Sequence, residues 1–334
     1  MGWVWVWVCV TVVVAGVGVV GMGEEEGMWG KGMIAYEDGS GMSFEDLVAT
    51  VGAERGVVVV TKFSVSVEWV DMLAVRMWNA KAHDALGSTI LIPTDVASVE
   101  ACKKYRWTCF VPAALVGEET LKEGITFGTK AYYEIVWMTA KVLSSILSFN
   151  HEVGVLYGDL DIVWADNPIN VVRAAVAGVS HPIDYAVVCE FLVTPDLLNG
   201  GLHYIPPVSQ SSIAGRAAVA ELMRQWYAAS IVAPEKLDQE VLRELLLLQR
   251  YAPIRKGFLC DGSLWANCMG KMPDYARSIH LTCLTDAESK YNALTDQTAD
   301  FPNFLSVPIH DPACADATTS DALLDCRFSR THFL

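Results

Sequence analysis

The sequence predicts an α/β protein: a single domain with a central, mostly parallel β-sheet, preceded by an N-terminal hydrophobic helix. Three observations lead to this prediction. Short apolar runs alternate with helical segments along most of the chain, as in doubly wound sheets. The run Val57–Thr61 is entirely β-branched, which is typical of a strand covered on both faces. The chain has 334 residues, enough for one large α/β domain or two small ones.

The chain divides into four predicted segments. Residues 1–23 are apolar, and residues 24–52 form a stem or linker rich in glycine, methionine and acidic residues. The folded domain is predicted over residues 53–307, followed by a cysteine-containing tail over 308–334.

The first segment has the length of a membrane span. Residues 2–22 contain no charged side chain, and a helix of this length is about 30 Å long, enough to cross a bilayer. A cleaved signal peptide and an uncleaved signal anchor are both open, and the uniform length favours the anchor. A buried soluble helix is the alternative. The signal interpretations predict entry into the secretory pathway.

Charge and cysteines limit the partners and the compartment. A net charge of −15 argues against nucleic acid, because phosphate binding requires a basic face. Eight of the nine cysteines lie beyond the apolar segment, and an even number in an oxidising compartment predicts disulfides, with the pairing open. Their spacings form no paired CxxC units, which argues against a structural zinc site.

Strands and helices are predicted in alternation along the domain. The predicted strands are residues 57–61, 88–93, 107–111, 153–157, 184–189, an alternating strand that follows an Asn-Gly-Gly turn within 198–205, and 278–282. The predicted helices are residues 68–83, 96–105, 131–149, 169–177, 213–227, a helix opening at 236–242, and 286–294.

Two carboxylates follow the fourth of these strands. Asp159 and Asp161 are two residues apart, so an extended chain points both side chains to the same face. Such a pair is costly to bury unless a cation is bound, and oxygen ligands suit Mg²⁺ or Mn²⁺ and a phosphate-bearing substrate. A solvated turn is the alternative interpretation of Asp-X-Asp. The apolar strand before the pair favours the metal site.

Three further features have both a structural and a functional interpretation. Lys141 interrupts an apolar helix and is either a snorkelling surface residue or a functional cation. The segment Asn199-Gly-Gly201 is either a hairpin turn or a close approach to a ligand. Asp238 precedes a helical segment and can be a simple N-cap.

These motifs together resemble a known family. The order of features from Val57 to about Ala293 is similar to the nucleotide-diphospho-sugar transferases of GT-A type, with a Rossmann-type domain. The likeness is greatest to the group that includes plant cell-wall xylosyl- and arabinosyltransferases. Its most specific part is the segment 155–168, an apolar strand, Asp-X-Asp, Val-Trp and then Asp-Asn-Pro, where the inserted Asn167 departs from the family's Asp-Pro. The segment Asn199-Gly-Gly201 stands where the family usually has Asn-Thr-Gly, and Thr282 replaces the asparagine of its His-X-Asn.

The resemblance implies a role for each candidate residue. It implies a metal site of Asp159, Asp161 and His280, holding Mn²⁺ or Mg²⁺ against the diphosphate of a nucleotide-sugar donor. It implies donor binding by Lys141, Asp159, Asn199 and Gly200. Asp238 and Gln239 are the implied catalytic residues, Asp238 contacting the sugar or the acceptor hydroxyl.

The implied enzyme is a metal-dependent glycosyltransferase that acts on a glycan or glycoprotein acceptor. The group resembled is mostly retaining, which implies retention. With the apolar segment as anchor, we expect a single-pass type II Golgi membrane protein with a lumenal catalytic domain, secreted if that segment is cleaved.

Two alternatives remain at the level of sequence. The segment Asp159-Leu-Asp-Ile-Val163 also fits a haloacid-dehalogenase-like phosphatase, with Asp159 as nucleophile and Asp161 as general acid. That fold usually begins with this motif, whereas here about a hundred residues of α/β pattern precede it. A non-catalytic, transferase-like lumenal protein is the second alternative, and it predicts no metal-dependent binding of a nucleotide sugar.

Overall fold

An eight-stranded sheet forms the centre of the protein, and helices cover both of its faces. The computed structural model describes residues 32–33, 42–65, 70, 73, 76–77, 79–80, 83–112, 115–121, 125, 128–149, 152–179, 181–189, 198–259, 266–267 and 278–280. Within these ranges the predicted α/β class with a mostly parallel central sheet is confirmed.

The strands and helices are as follows. The strands are β1 Gly32–Met33, β2 Val57–Phe63, β3 Thr89–Pro93, β4 Cys109–Phe110, β5 Gly154–Gly158, β6 Ile162–Trp164, β7 Tyr185–Cys189, β8 Leu198–Ile205, β9 Lys256–Leu259, β10 Ala266–Asn267 and β11 Ser278–His280. The helices are α1 Phe44–Gly52, α2 Val96–Lys104, α3 Glu118–Leu121, α4 Lys130–Ser148, α5 Pro168–Ala177, α6 Ile213–Val232 and α7 Asp238–Leu246. Residues 70, 73, 76–77 and 79–80 are also helical, within the helix predicted at 68–83.

The strand order creates a switch point between β2 and β5. The sheet runs β1-β4-β3-β2-β5-β8-β7-β9, so β3 and β4 lie on one side of β2 and β5 on the other. The strands β4, β3, β2 and β5 are parallel, whereas β8 is antiparallel to both of its neighbours. Ligands of open α/β sheets bind at the carboxyl ends of the strands at such a point.

The alternation of β2 produces the two halves of the core. Val58 and Val60 pack in the cluster under α1, α4 and α6, whereas Val57 and Val59 pack in the cluster under α5. All four are buried, with at most 1% exposure. This two-sided burial is the reason why the strand is β-branched throughout.

Two segments differ from their sequence interpretations. Phe44–Gly52, inside the predicted linker, is a helix capped by Ser43, with Phe44, Leu47 and Val48 buried in the core. The segment Asn199-Gly-Gly201 lies within strand β8 beside a register shift in its pairing with β7, so the hairpin-turn interpretation is wrong. The remaining segment boundaries stay predictions.

Several predictions lie outside the described residues: the apolar segment 1–23, the helix at 286–294 and the tail at 308–334. Among the helices that the structure describes, none combines the length and the apolar character needed to cross a membrane.

Disulfides are present, as the cysteine count predicted. Cys102 on α2 is bonded to Cys109 on β4, with their Cα atoms 6.2 Å apart. Cys189, at the end of β7, is also disulfide-bonded.

Candidate active site

The turn between β5 and β6 carries Asp159 and Asp161 at the switch point of the sheet. Strand β5 ends at Gly158 and β6 begins at Ile162, so the two aspartates lie at the carboxyl end of a central strand. The turn is fixed to β8 because the backbone N–H of Asp159 donates to the carbonyl of Gly201 at 2.8 Å.

Strand β11 brings His280 to the same turn. It pairs antiparallel with β6, with His280 opposite Ile162, in a separate three-stranded sheet completed by β10. The Nε2 atom of His280 lies 3.1 Å from Oδ1 of Asp161 and 4.0 Å from Oδ2 of Asp159. The His280 side chain is 2% exposed, that of Asp161 9% and that of Asp159 27%. The three residues that the resemblance implied as metal ligands therefore lie together in a group that could hold a metal ion, called the metal-ligand cluster below.

The three side chains offer two carboxylates and one imidazole, a donor set suited to a divalent ion. Two carboxylates side by side repel, and a divalent cation offsets that repulsion. Asp159, Asp161 and His280 can therefore hold a divalent ion.

Two cations lie on the inner side of the turn. Lys62 is the second-last residue of β2, and its Nζ lies 3.5 Å from Oδ1 of Asp159. Arg76 is buried, and its guanidinium donates to the carbonyl of Ile162 at 3.1 Å and to Oγ1 of Thr61 at 3.2 Å. Burial lowers the pKa of Arg76 to about 10, although the charges of Asp159 and Asp161 oppose the shift. Both cations lie close enough to the aspartate pair to interact with its charge.

Strand β8 and helix α7 form the wall beside the turn. The N–H of Gly200 donates to Oε1 of Gln239 at 3.2 Å, so the start of α7 is held against the strand. The Oδ1 atom of Asn199 accepts from the N–H of Gly201 at 2.8 Å. Asn199, Gly200 and Gln239 therefore lie together beside Gly201, whose carbonyl accepts from Asp159, and their donor-binding and catalytic roles stay predictions.

His203 fixes this wall from inside the core. Its Nε2 lies 2.8 Å from the carbonyl of Gly200, which can only accept, so Nε2 carries the hydrogen. Its Nδ1 lies 2.7 Å from the hydroxyl of Tyr185 and accepts from it. Burial lowers the pKa of His203 to about 4, which keeps the ring neutral. His203 was not among the sequence candidates, because a lone histidine in an apolar strand gives no functional signal.

Asp238 is buried at the first residue of α7, with 7% exposure. The N-cap of α7 is Leu237 and makes no side-chain cap bond, so the interpretation of Asp238 as the cap is wrong. Burial raises the pKa of Asp238 to about 6; the charge of Asp159 adds to the shift, and that of Lys62 opposes it. The carboxyl group of Asp238 therefore interacts with the charges of Lys62 and Asp159, which also surround the metal-ligand cluster.

We expect Asp238→Asn to stabilise the metal-free protein at pH 7. The native pKa of about 6 exceeds the unfolded value, so stability falls as pH rises from about 4 to about 6 and stays low above that range. Two pKa units correspond to about 2–3 kcal/mol, which the neutral amide recovers. Urea unfolding between pH 4 and 7.5, in the presence of a chelator, measures the gain.

Glu240→Gln is the matched control, because Glu240 is an exposed carboxylate two residues further along α7. We expect it to leave the free energy of unfolding within about 0.5 kcal/mol of the original value. Equal effects of the two substitutions on the free energy of unfolding would contradict the destabilisation that we assign to the buried charge of Asp238.

Gly201 is required by the position of His280. A Cβ atom on Gly201 would overlap Cε1 of His280 and would lie 2.9 Å from Nε2 of His280 and 2.8 Å from Oδ1 of Asn199. A Cβ on Gly200 would meet Gln239 at 3.4 Å, an ordinary contact. The sequence could not distinguish these two glycines, because only the packing of β11 against β8 separates them.

We therefore expect Gly201→Ala to weaken divalent-metal binding by about 10- to 100-fold, the range found when groups that orient metal ligands are changed. Gly200→Ala should leave metal affinity within about threefold of the original value. Isothermal titration with Mn²⁺ measures both. Equal affinities of the two variants would contradict the placement of His280.

Lys141 and Lys62 occupy different positions relative to the cluster. On α4, Thr139 accepts a hydrogen bond from Lys62 at 2.7 Å. Lys141 is two residues further along the helix, about 200° around its axis, and so lies on nearly the opposite side of α4 from Thr139. Burial lowers the pKa of Lys141. The donor-binding role of Lys141 stays a prediction, whereas Nζ of Lys62 lies 3.5 Å from Asp159. Lys62 could have been found from its place at the carboxyl end of a central strand.

The chain is similar to known proteins in sequence and in fold. The family model described as nucleotide-diphospho-sugar transferase matches residues 85–294. Similar solved structures include a glycosyltransferase involved in the glycosylation of the major capsid of PBCV-1 (TM-score 0.40, 14% identity, 71% of this chain and 98% of that chain). They also include mouse xyloside xylosyltransferase 1 in its apo form (TM-score 0.39, 12% identity, 69% of this chain and 98% of that chain). Among curated proteins, none matches the chain.

Proposed function

Because the chain belongs to the nucleotide-diphospho-sugar transferase family and is a glycosyltransferase, we propose that it moves a sugar from a nucleotide-diphosphate donor to a glycan or glycoprotein acceptor, with a divalent ion held by Asp159, Asp161 and His280. Family membership argues against the phosphatase alternative, and the presence of the Asp159, Asp161 and His280 cluster argues against the non-catalytic one.

The observation that carries the proposal is the ligand cluster at the sheet's switch point. Two carboxylates and one imidazole converge where open α/β sheets bind ligands. We propose Mn²⁺ as the ion, with Mg²⁺ as the alternative, since imidazole is less suited to Mg²⁺ than carboxylates are. When bound, the ion supplies Lewis-acid stabilisation of the charge on the departing diphosphate.

The surrounding residues bind and orient the donor. Lys62 offers a fixed positive charge beside Asp159, where a diphosphate held at the cluster would gain a second cationic neighbour. Asn199 and Gly200 would line the sugar side, and Gln239 holds Gly200 in place. Asp238 would contact the sugar or the acceptor hydroxyl. We propose a retaining reaction, in which Asp238 need not act as a base.

We also propose that the protein acts in the secretory pathway. The apolar segment 1–23 would anchor a single-pass type II protein in the Golgi membrane, or yield a secreted protein if it is cleaved. The disulfide between Cys102 and Cys109 supports an oxidising compartment.

A donor panel tests the proposed activity. The full chain is incubated with Mn²⁺ and each of a set of nucleotide-diphosphate sugars, pentose and hexose donors included, and release of the nucleoside diphosphate is measured. We expect hydrolysis or transfer with at least one donor and none with a chelator. Retention is tested by determining the anomeric configuration of the product.

The variant Asp159→Ala, Asp161→Ala is the negative control. If no donor is turned over, and if this double variant binds nucleotide as well as the original chain does, the proposed function is wrong.

A further inference from the structure

A chain of hydrogen bonds leads from β2 through α4 to the first aspartate. Nζ of Lys62 lies 2.7 Å from Oγ1 of Thr139, and Oγ1 of Thr139 lies 3.0 Å from the hydroxyl of Tyr157. That hydroxyl lies 2.7 Å from Oδ1 of Asp159. Thr139 is 1% exposed and Tyr157 fully buried, so water does not compete for these groups.

The direction of every hydrogen in this chain is determined by its first member. A lysine ammonium group has donors only, so the oxygen of Thr139 accepts from Lys62. The single hydrogen of Thr139 then points to the oxygen of Tyr157. The single hydrogen of Tyr157 is left for Oδ1 of Asp159.

The two oxygens of Asp159 consequently have different surroundings. Oδ1 accepts from Tyr157 and lies 3.5 Å from Nζ of Lys62. Oδ2 lies 4.0 Å from Nε2 of His280, on the side of the metal-ligand cluster. One oxygen is therefore held by the protein, while the other faces the cluster.

We propose that Tyr157 is a positioning residue that reserves Oδ1 of Asp159, so that Asp159 binds the metal through Oδ2 alone and the site favours Mn²⁺ or Mg²⁺ over Ca²⁺. The inference rests on the proposed function, since it needs the metal at this cluster. Thr139 and Lys62 act through Tyr157 by orienting its hydroxyl.

The number of oxygens that a carboxylate offers affects which ion is bound. Ca²⁺ takes six to eight oxygen ligands and readily accepts both oxygens of one carboxylate, whereas Mg²⁺ requires six ligands in a nearly ideal octahedron. Removal of the Tyr157 hydroxyl takes away the hydrogen bond to Oδ1 and leaves only Nζ of Lys62 at 3.5 Å, so Asp159 can then bind with both oxygens. This change favours the larger ion.

Metal selectivity of the full chain tests the inference without any measurement of catalysis. Isothermal titration in the absence of donor gives the dissociation constants for Mn²⁺, Mg²⁺ and Ca²⁺. We expect Tyr157→Phe to shift the ratio of Ca²⁺ to Mn²⁺ affinity about tenfold toward Ca²⁺, because a hydrogen bond to a charged group is lost. Thr139→Val should shift it in the same direction by about threefold, and Thr139→Ser should restore the original ratio.

Tyr185→Phe is the matched control. Tyr185 is a second fully buried tyrosine of the same sheet, and its hydroxyl bonds His203 instead of a metal ligand. We expect it to leave the selectivity ratio unchanged. Thermal unfolding of each variant checks that it folds, and Thr139→Val decides the question if Tyr157→Phe does not fold.

The outcomes separate this inference from the proposed function. If the original chain binds none of the three ions, the metal centre is wrong and the inference falls with it. If the original chain binds Mn²⁺ but Tyr157→Phe weakens all three ions equally or changes none, the inference alone is overturned.

Discussion

Replacement of Asp161 by asparagine is expected to lower Mn²⁺ affinity by at least about 100-fold and kcat/KM by a similar factor. Changes to groups that merely orient metal ligands cost about 10- to 100-fold, and Asp161 is itself a proposed ligand. It is nearly buried and lies 3.1 Å from Nε2 of His280, so water cannot readily take its place. Isothermal titration with Mn²⁺ measures the binding, and steady-state kinetics with the donor found in the panel measures the activity.

Asp166→Asn is the matched control for Asp161. Asp166 is an exposed carboxylate in the same segment, and its Oδ1 accepts from the N–H of Asn167. We expect metal affinity within about threefold of the original value. Comparable losses in both variants would indicate a general charge effect and would contradict the assignment of Asp161 as a ligand.

The largest effect on stability is expected at Asp184, away from the metal-ligand cluster. Its carboxylate is fully buried and accepts from Nε of Arg255 at 2.9 Å and from a second guanidinium nitrogen at 2.6 Å. It also accepts from the backbone N–H groups of Ser212 at 2.9 Å and Arg255 at 3.1 Å. Asp184 thereby connects the start of β7, the N-cap of α6 and the residue before β9.

We expect Asp184→Asn to lower the free energy of unfolding by about 3 kcal/mol at pH 7, because an amide cannot accept from all of these donors. Burial alone would raise the pKa of Asp184, but the bonds from Arg255 and Ser212 outweigh it and lower the pKa to about 2. The stabilisation is therefore present above about pH 4 and is lost as pH falls toward 2. Urea unfolding at pH 7 and at pH 3 measures the difference.

Glu221→Gln provides the control, because Glu221 forms an exposed ion pair with Arg224 on α6. Exposed pairs contribute about 0–1 kcal/mol. If Asp184→Asn costs no more than Glu221→Gln, the buried carboxylate does not connect the three elements as described. Metal affinity should be unchanged in both variants.

Most strands and helices were predictable because their signal is local. The β-branched run of β2 and the apolar strand before Asp159 reflect burial on both faces, which the sequence records residue by residue. Helix α1 was missed although Phe44, Leu47 and Val48 have helical spacing, because the glycine-rich stretch before them obscured the period. The residues 199–201 were interpreted as a turn because glycine marks both turns and crowded strands.

The sequence by itself determined the α/β class and the position of the aspartate pair directly after a buried strand, because both signals are local. The pair lies in the turn between β5 and β6, so the strand alternation from which its convergence was predicted does not apply there. Only the tertiary structure decided which distant side chains meet that pair. His280 arrives through the pairing of β11 with β6, and Lys62 through the parallel pairing of β2 with β5. Such pairings depend on long-range register, for which local periodicity carries no information. Packing alone brings Lys62 next to Asp159. Packing alone also makes a glycine necessary at position 201, beside His280.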